Sequence, residues 1–397
     1  MFESVSVAPA DPILGITEAF TNNPSPNKIN LSVGVYKDAT GVTPILDCVR
    51  SAEARLLEAE TSKSYKPITG AADYAAVVQE LLFGAGHEVI SSGRAVTAHT
   101  PGGTGALRVA GDYIHQLHPQ STLWLSEPTW ANHPKVFAAA GVPTKTYSYF
   151  NGADNSLDLS SLLSSLGDIP SGDVVLLHGC CHNPTGVDPT PEEWTEIAKR
   201  LASRGVIPLL DFAYQGFGEG LVEDGRGLAA LAAENPEFFV CSSFSKNFGL
   251  YNERVGALTV VGRSAEEAAA VFSHLKATIR ANYSNPPAHG AAIVTTVLQD
   301  STLLQQWEGE LKEMRDRING MRSDFVAGLA AAGVPGDFSF IERQRGMFSF
   351  SGLTKEHVQR LRDEHSIYIV ASGRINVAGM TPANMPQLCE AIAKVVA

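Results

Sequence analysis

Cysteine is scarce in this chain of 397 residues. There are five, Cys48, Cys180, Cys181, Cys241 and Cys389. The number is odd and no C-x-x-C pair occurs, which argues against a disulfide framework and a zinc site. A reduced, cytoplasmic compartment is expected. Cys180-Cys181-His182 brings soft ligands together, but partners at workable spacing are missing, so buried core residues are expected there. Long apolar runs are missing too. No stretch approaches the roughly 18 residues that span a membrane. The start, Met1-Phe2-Glu3-Ser4-Val5, has neither the basic residues nor the apolar stretch of a signal peptide. Basic excess is absent: 30 Lys and Arg stand against 42 Asp and Glu, a net charge of −12. That balance argues against nonspecific nucleic-acid binding, while a small pocket can still be locally basic.

What is present is an ordinary globular composition, 44% hydrophobic and 18% charged, with a length that suggests two or three domains. Strand-like runs stand at 122–126, 174–178, 206–211, 238–242 and 255–261, and most are continuously apolar rather than alternating. Continuous runs mark strands covered on both faces, as in parallel sheets. Helical stretches lie between them. One opens at Thr190-Pro191-Glu192-Glu193, with an N-cap, a first-turn proline and a capping-box glutamate. The alternation predicts a doubly wound α/β domain. Leu304, Trp307, Leu311, Met314, Ile318, Met321, Phe325 and Leu329 then recur every three or four residues, which predicts one long amphipathic helix. Short strands at 347–350, 367–370 and 374–377, with helices at 355–364 and 383–396, predict a smaller α+β domain after it. The first thirty residues are rich in Pro and Asn, with a short helical pattern at 13–20. Such an arm lies across a neighbouring subunit or packs as a surface terminus.

Lys246 follows the strand-like run Phe238-Phe239-Val240, within Cys241-Ser242-Ser243-Phe244-Ser245-Lys246-Asn247-Phe248-Gly249. A lysine in semi-apolar surroundings loses hydration, and its neutral amine attacks aldehydes to form a Schiff base. The alternative is a surface lysine on a loop. Thr100-Pro101-Gly102-Gly103-Thr104-Gly105 runs into a helix, where unpaired N–H groups and the Thr104 hydroxyl suit a phosphate; a tight structural turn is the other reading. Asp211 ends an apolar strand and Tyr214 follows it, placed to serve a ring nitrogen and a phenolic oxygen, or for Asp211 to cap the next helix. His182-Asn183-Pro184-Thr185-Gly186 forces a turn that fixes Asn183, and His178 reads as a satisfied core histidine or a catalytic one. Trp130, just past its strand, suits stacking on a flat ring or covering the sheet edge. Arg254, Arg280 and Arg374 stand outside charge runs; each either forks an anionic ligand, carboxylate or phosphate, or pairs with a distant Asp or Glu. Together these describe pyridoxal 5′-phosphate and an amino-acid substrate.

The motifs TPGGTGALR at 100–108, CCHNPTG at 180–186, DFAYQGFG at 211–218, SFSKNFGLYNERVG at 243–256, RANYSNPPAHG at 280–290 and SGRINVAGMT at 372–381 resemble those of the class I aspartate aminotransferases of bacterial type. The resemblance runs from the segment at 8–14 to Pro382. It implies the fold-type I architecture of pyridoxal-phosphate transferases, α/β, with a mostly parallel seven-stranded sheet between helices and a smaller α+β domain. The domains would be 1–41 (arm and part of the small domain), 42–300 (large) and 301–397 (small, entered by the long helix). It implies reversible transamination of L-aspartate and 2-oxoglutarate, with aromatic amino-acid transamination as the alternative. A pyridoxal-binding regulator would need a DNA-binding segment that the chain lacks. Carried over by motif, Lys246 is the Schiff-base lysine and proton carrier, and Asp211 the partner of the ring nitrogen. Tyr214 and Asn183 are donors to the ring oxygen, and Trp130 stacks on the ring. Gly103, Thr104, Ser243 and Arg254 contact the phosphate, joined by Tyr65 from a neighbouring subunit. Arg374 holds the substrate α-carboxylate with Gly34 near it, and Arg280 reaches from the other subunit to the distal carboxylate. Trp130 and Asn183 also face the substrate, and His178 lies behind the site. Shared sites imply a homodimer; no metal, nucleic acid or membrane is expected. Ser64 departs from the asparagine usual before Tyr65 in aspartate-selective relatives, while Lys37, which aromatic-accepting relatives replace, is kept.

Overall fold

The computed structural model describes residues 2–7 and 14–397, so the motif stretch at 8–13 lies outside the described residues. The chain forms two compact units, Pro44–Asp316 and Met1–Thr43 with Arg317–Ala397.

Within Pro44–Asp316, seven strands make one sheet: β1 (Ala95–Pro101), β2 (Leu123–Glu127), β3 (Thr144–Ser148), β4 (Val174–His178), β5 (Ile207–Phe212), β6 (Phe238–Ser243) and β7 (Val255–Val261). Their order is β1-β7-β6-β5-β4-β2-β3. β7 runs antiparallel to both β1 and β6, and the other neighbours are parallel. Every residue of β4, β6 and β7 is buried, which is why their sequences are apolar without alternation. Helix α1 (Gly102–Leu117) packs Ala106, Leu107, Ala110 and Ile114 against Leu125, Leu176, Leu209 and Leu258 of the sheet. Burying each such leucine contributes roughly 1.5–3 kcal/mol, and this holds α1 to the sheet.

The sequence patterns pass over β1 and β3, the two edges. β1 reads Ala-Val-Thr-Ala-His-Thr-Pro and includes a hydroxyl pair across to β7, Thr97 Oγ1 to Thr259 Oγ1 at 2.9 Å. β3 buries only Tyr147. Neither carries a continuous apolar run. Helix α2 (Pro191–Arg204) starts with the expected capping box between Thr190 and Glu193 and ends at Gly205, whose φ of 62° is left-handed. Helix α3 spans Ser301–Ala331, as the periodicity predicts. Its buried stripe begins at Leu303, with Leu304 only half-buried.

In the other unit, Phe348–Phe350 pairs antiparallel with Arg374–Asn376, and Ile29–Asn30 pairs parallel with Ile367–Tyr368. Helices Lys355–His365 and Met385–Val396 pack on each other. This is the smaller α+β body. A helix at Leu14–Asn22 matches the short pattern near the start. Among the described residues no helix is long and apolar enough to cross a membrane.

Candidate active site

Parallel strands end together. In register, His178 of β4 stands beside Asp211 of β5, and Asp211 beside Cys241 of β6. β7 is antiparallel, so its first residue, Val255, pairs with Pro101 at the end of β1, and Gly256 pairs with both Thr100 and Ser243. The topology therefore gathers Asp211, Tyr214, Ser243, Lys246, Arg254 and the start of α1 at one end of the sheet, the end where open α/β sheets bind ligands.

Gly102 and Arg254 face each other there. Gly102 has φ +76°, and a Cβ on it would sit 2.5 Å from Arg254 Nη2. A Cβ on Gly103 would lie 3.0 Å from Ser243 Cβ, and one on Gly256 would lie 2.4 Å from the Gly102 carbonyl carbon. Side chains at any of these positions would fill a cradle formed by a helix N-terminus, a serine hydroxyl and a guanidinium. Arg254 itself holds φ +57°, an uncommon conformation for a residue with a side chain. Thr104 is in the first turn of α1, half-buried. Such a cradle suits a phosphate.

Lys246 is half-buried on the loop after β6, and its Nζ lies 4.5 Å from the centroid of the Tyr214 ring. Asp211 is buried, and its Oδ2 accepts from His133 Nε2 at 2.9 Å. Because the carboxylate accepts, the His133 proton is on Nε2, and Nδ1 faces Thr129 Oγ1 at 2.8 Å. Burial alone raises the Asp211 carboxyl. The hydrogen bond and field of His133, with the charge of Lys246, outweigh it and leave the group below its ordinary value. Asp211 makes its bond to a side chain rather than capping a helix. Trp130 packs edge-on against His133, ring centroids 5.2 Å apart.

His178 and His182 extend this cluster. His182 Nε2 meets Ser126 Oγ at 3.0 Å, and that hydroxyl donates to Pro128 O, so Nε2 is the donor; Nδ1 meets Thr185 Oγ1 at 2.8 Å. Its ring stacks on Tyr149 at 4.0 Å. His178 lies 5.2 Å from the His133 ring and 4.2 Å from the His182 ring. Neither of its nitrogens has a hydrogen-bond partner, which corrects the reading of His178 as a satisfied core histidine. Burial, reinforced by His133, pushes it down to about 3, so it stays neutral. Asn183 is buried on the turn after His182.

Asp224 lies within 4.8 Å of both Cys180 and Cys181, a third ligand type that no local spacing shows. Its carboxylate instead accepts backbone N–H groups of Gly216, Gly218 and Glu219 at 2.8, 2.9 and 2.8 Å. Burial pushes the Cys180 thiol up. All five cysteines are buried, and none is in a disulfide.

Gly34 and Arg374 lie in the other unit. Arg374 is 4% exposed and donates from Nη2 to Ser32 O at 2.6 Å. Tyr65 is 93% exposed and Ser64 is exposed beside it. Arg280 is also exposed and donates to Ser284 Oγ. The backbone N–H of Lys37 donates to Ala378 O at 3.1 Å. His133 was not singled out from sequence. Its signal is its place three residues past Trp130, but the partner that defines it is 78 residues away.

A strand-end lysine and aspartate beside a phosphate-sized cradle, on a seven-stranded α/β sheet, define a class, and the chain belongs to it: residues 26–392 match the aminotransferase class I and II family. The chain is 56% identical over 396 residues to an aspartate aminotransferase of Salmonella typhi, covering all of both. It is 49% identical to an aromatic-amino-acid aminotransferase of Pseudomonas aeruginosa, covering 100% of this chain and 99% of that one. Its fold matches the aromatic-amino-acid aminotransferase of Burkholderia pseudomallei covalently bound to pyridoxal phosphate. The TM-score is 0.97 at 47% identity, and all of both chains is covered.

Proposed function

We propose that this chain transfers the amino group of L-aspartate to 2-oxoglutarate, giving oxaloacetate and L-glutamate, with pyridoxal 5′-phosphate held at Lys246. The observation that carries the reading is the common strand end shared by Lys246, Asp211 and the Gly102–Arg254 cradle. The cofactor fits these residues. The cradle has room only because three glycines lack a Cβ, and the buried Asp211 anion matches a protonated ring nitrogen.

When bound, the cofactor supplies a carbonyl for the lysine and a ring that accepts electrons from the substrate Cα. Lys246 Nζ would hold the cofactor's carbonyl carbon, and as a free amine it would take a proton from the substrate Cα and give it back. Asp211, fixed by His133, would keep a proton on the ring nitrogen without itself becoming neutral. Tyr214 and Asn183 would donate to the ring oxygen, and Trp130 would cover the ring. Gly103, Thr104, Ser243 and Arg254 hold the phosphate. Arg374, with Gly34 beside it, takes the α-carboxylate.

The chain works as a homodimer in the cytoplasm. Tyr65 reaches the partner's phosphate and Arg280 the partner's distal substrate carboxylate. Their exposure on a single chain supports this assignment. Retention of Lys37 supports aspartate over aromatic substrates. Borohydride reduction of the holoenzyme followed by peptide mass spectrometry tests the core of the reading. The phosphopyridoxyl label is expected on Lys246, and Lys246→Ala abolishes both label and turnover. A label on another lysine, or full activity of Lys246→Ala, overturns it.

A further inference from the structure

Phe348 is a buried aromatic ring with a guanidinium on one side and a glycine on another. The Arg374 guanidinium carbon lies 4.0 Å from its centroid. A Cβ on Gly34 would lie 2.5 Å from Phe348 Cζ and 3.4 Å from both Cε atoms, so Gly34 faces the far edge of the ring. The ring's own strand is fixed from behind. Arg322, 1% exposed, donates through Nη2 to Phe348 O at 3.0 Å and also to Gly346 O. The strand partner Arg374–Asn376 grips the Gly34 segment from the other direction. Arg374 donates to Ser32 O, and Asn376 Nδ2 donates to Val33 O at 2.7 Å and Val35 O at 2.9 Å. All of these residues belong to one compact unit.

We propose that Phe348 is a positioning residue for substrate binding: its ring face sets the plane of the Arg374 guanidinium, and Gly34 is glycine in order to admit that ring. A guanidinium stacked on an aromatic face keeps its N–H donors at the edge, in the plane that a carboxylate fork needs. A flexible arginine would lose that alignment each time substrate left. Gly34 thereby acquires a steric role in addition to its nearness to the substrate carboxylate. The inference deepens the proposed function and rests on Arg374 binding the α-carboxylate.

The ring must be flat and must end at Cζ. Phe348→Leu removes the stacking face. Phe348→Tyr keeps the face but drives an oxygen from Cζ toward the Gly34 backbone. Both are expected to raise KM for aspartate and for 2-oxoglutarate about tenfold, with kcat changed less than threefold. The dissociation constant of succinate, read from the cofactor absorbance of the holoenzyme, rises in parallel. The visible spectrum without substrate, which reports Lys246 and Asp211, stays as in the native protein. Phe348→Met, closer in volume, carries the same comparison if the leucine variant does not fold. Gly34→Ala is expected to raise the succinate constant as well, and to add little to Phe348→Leu, because both disturb one contact. Native-like KM and succinate affinity in Phe348→Leu or Phe348→Met overturn the proposal. So does a loss confined to kcat with an altered resting spectrum. Failure of the native protein to use aspartate at all would instead refute the proposed function.

Discussion

Asp211 keeps its charge through a neighbour. Burial opposes its charge, and the His133 hydrogen bond restores it, so the anion is held at the cost of ordering an imidazole and Thr129. Asp211→Ala is expected to lower kcat/KM about 10²–10³-fold, the range for removing one preorganised charge from a closed site. His133→Phe keeps the volume and removes the bond, and about tenfold is expected, near the 1.5 kcal/mol of one charge-assisted hydrogen bond. Steady-state kinetics on the two variants gives the order. A larger loss at His133 than at Asp211 would contradict it. At this scale the sequence is read by chain neighbourhood, so Lys246, Asp211 and Tyr214 were visible near strand ends. His133 was not, because its meaning comes from a residue far along the chain. Asp224 carries no mark in the sequence for the same reason: its N–H partners are nearby, but the thiols it approaches are not.

The cradle belongs to three elements: the end of β1 with the start of α1, the end of β6, and the start of β7. A single antiparallel strand, β7, brings Arg254 to the same end as Gly102. Gly102→Ala must strain a φ of +76° and push the Arg254 guanidinium aside. It is expected to weaken cofactor retention by at least tenfold, measured by the absorbance left after dialysis, while far-ultraviolet circular dichroism is unchanged. Full retention would show that the turn is only structural. Elements with a strong local signal, such as α2 with its capping box or the fully buried β4 and β7, were legible. The edges β1 and β3 were not. One is stabilised by a threonine pair and the other by a single tyrosine, and neither leaves an apolar run to read.

On the scale of the whole molecule, His99, His178 and His182 are buried in neutral form. Burial holds His99 down to about 4 and His178 to about 3, and takes His182 well below its ordinary value. For each, the unfolded chain takes up a proton near pH 6.5 that the folded chain refuses, so stability is full above that pH and falls below it. Between pH 7 and pH 5 the loss is roughly 1–2 kcal/mol per histidine. The urea midpoint should drop over that range, and a constant or higher midpoint at pH 5 would contradict the burial of these rings as neutral groups. The switch from continuous apolar runs to a period of three and four marks helix α3 (Ser301–Ala331), whereas the two compact units part within that helix, between Asp316 and Arg317. Substrate choice was not legible, because Ser64, Tyr65 and Arg280 are exposed on the single chain, and the roles proposed for them depend on the proposed dimer.

The most direct test of the proposed function is the ratio of kcat/KM for L-aspartate to that for L-phenylalanine, with 2-oxoglutarate as acceptor, in the native protein and in Arg280→Ala. The native protein is expected to prefer aspartate. In the variant aspartate should lose about 3 kcal/mol or more of transition-state binding, as when one partner of a buried charge pair is removed, with little change for phenylalanine. A native preference for phenylalanine, or equal losses for both substrates in Arg280→Ala, would contradict it.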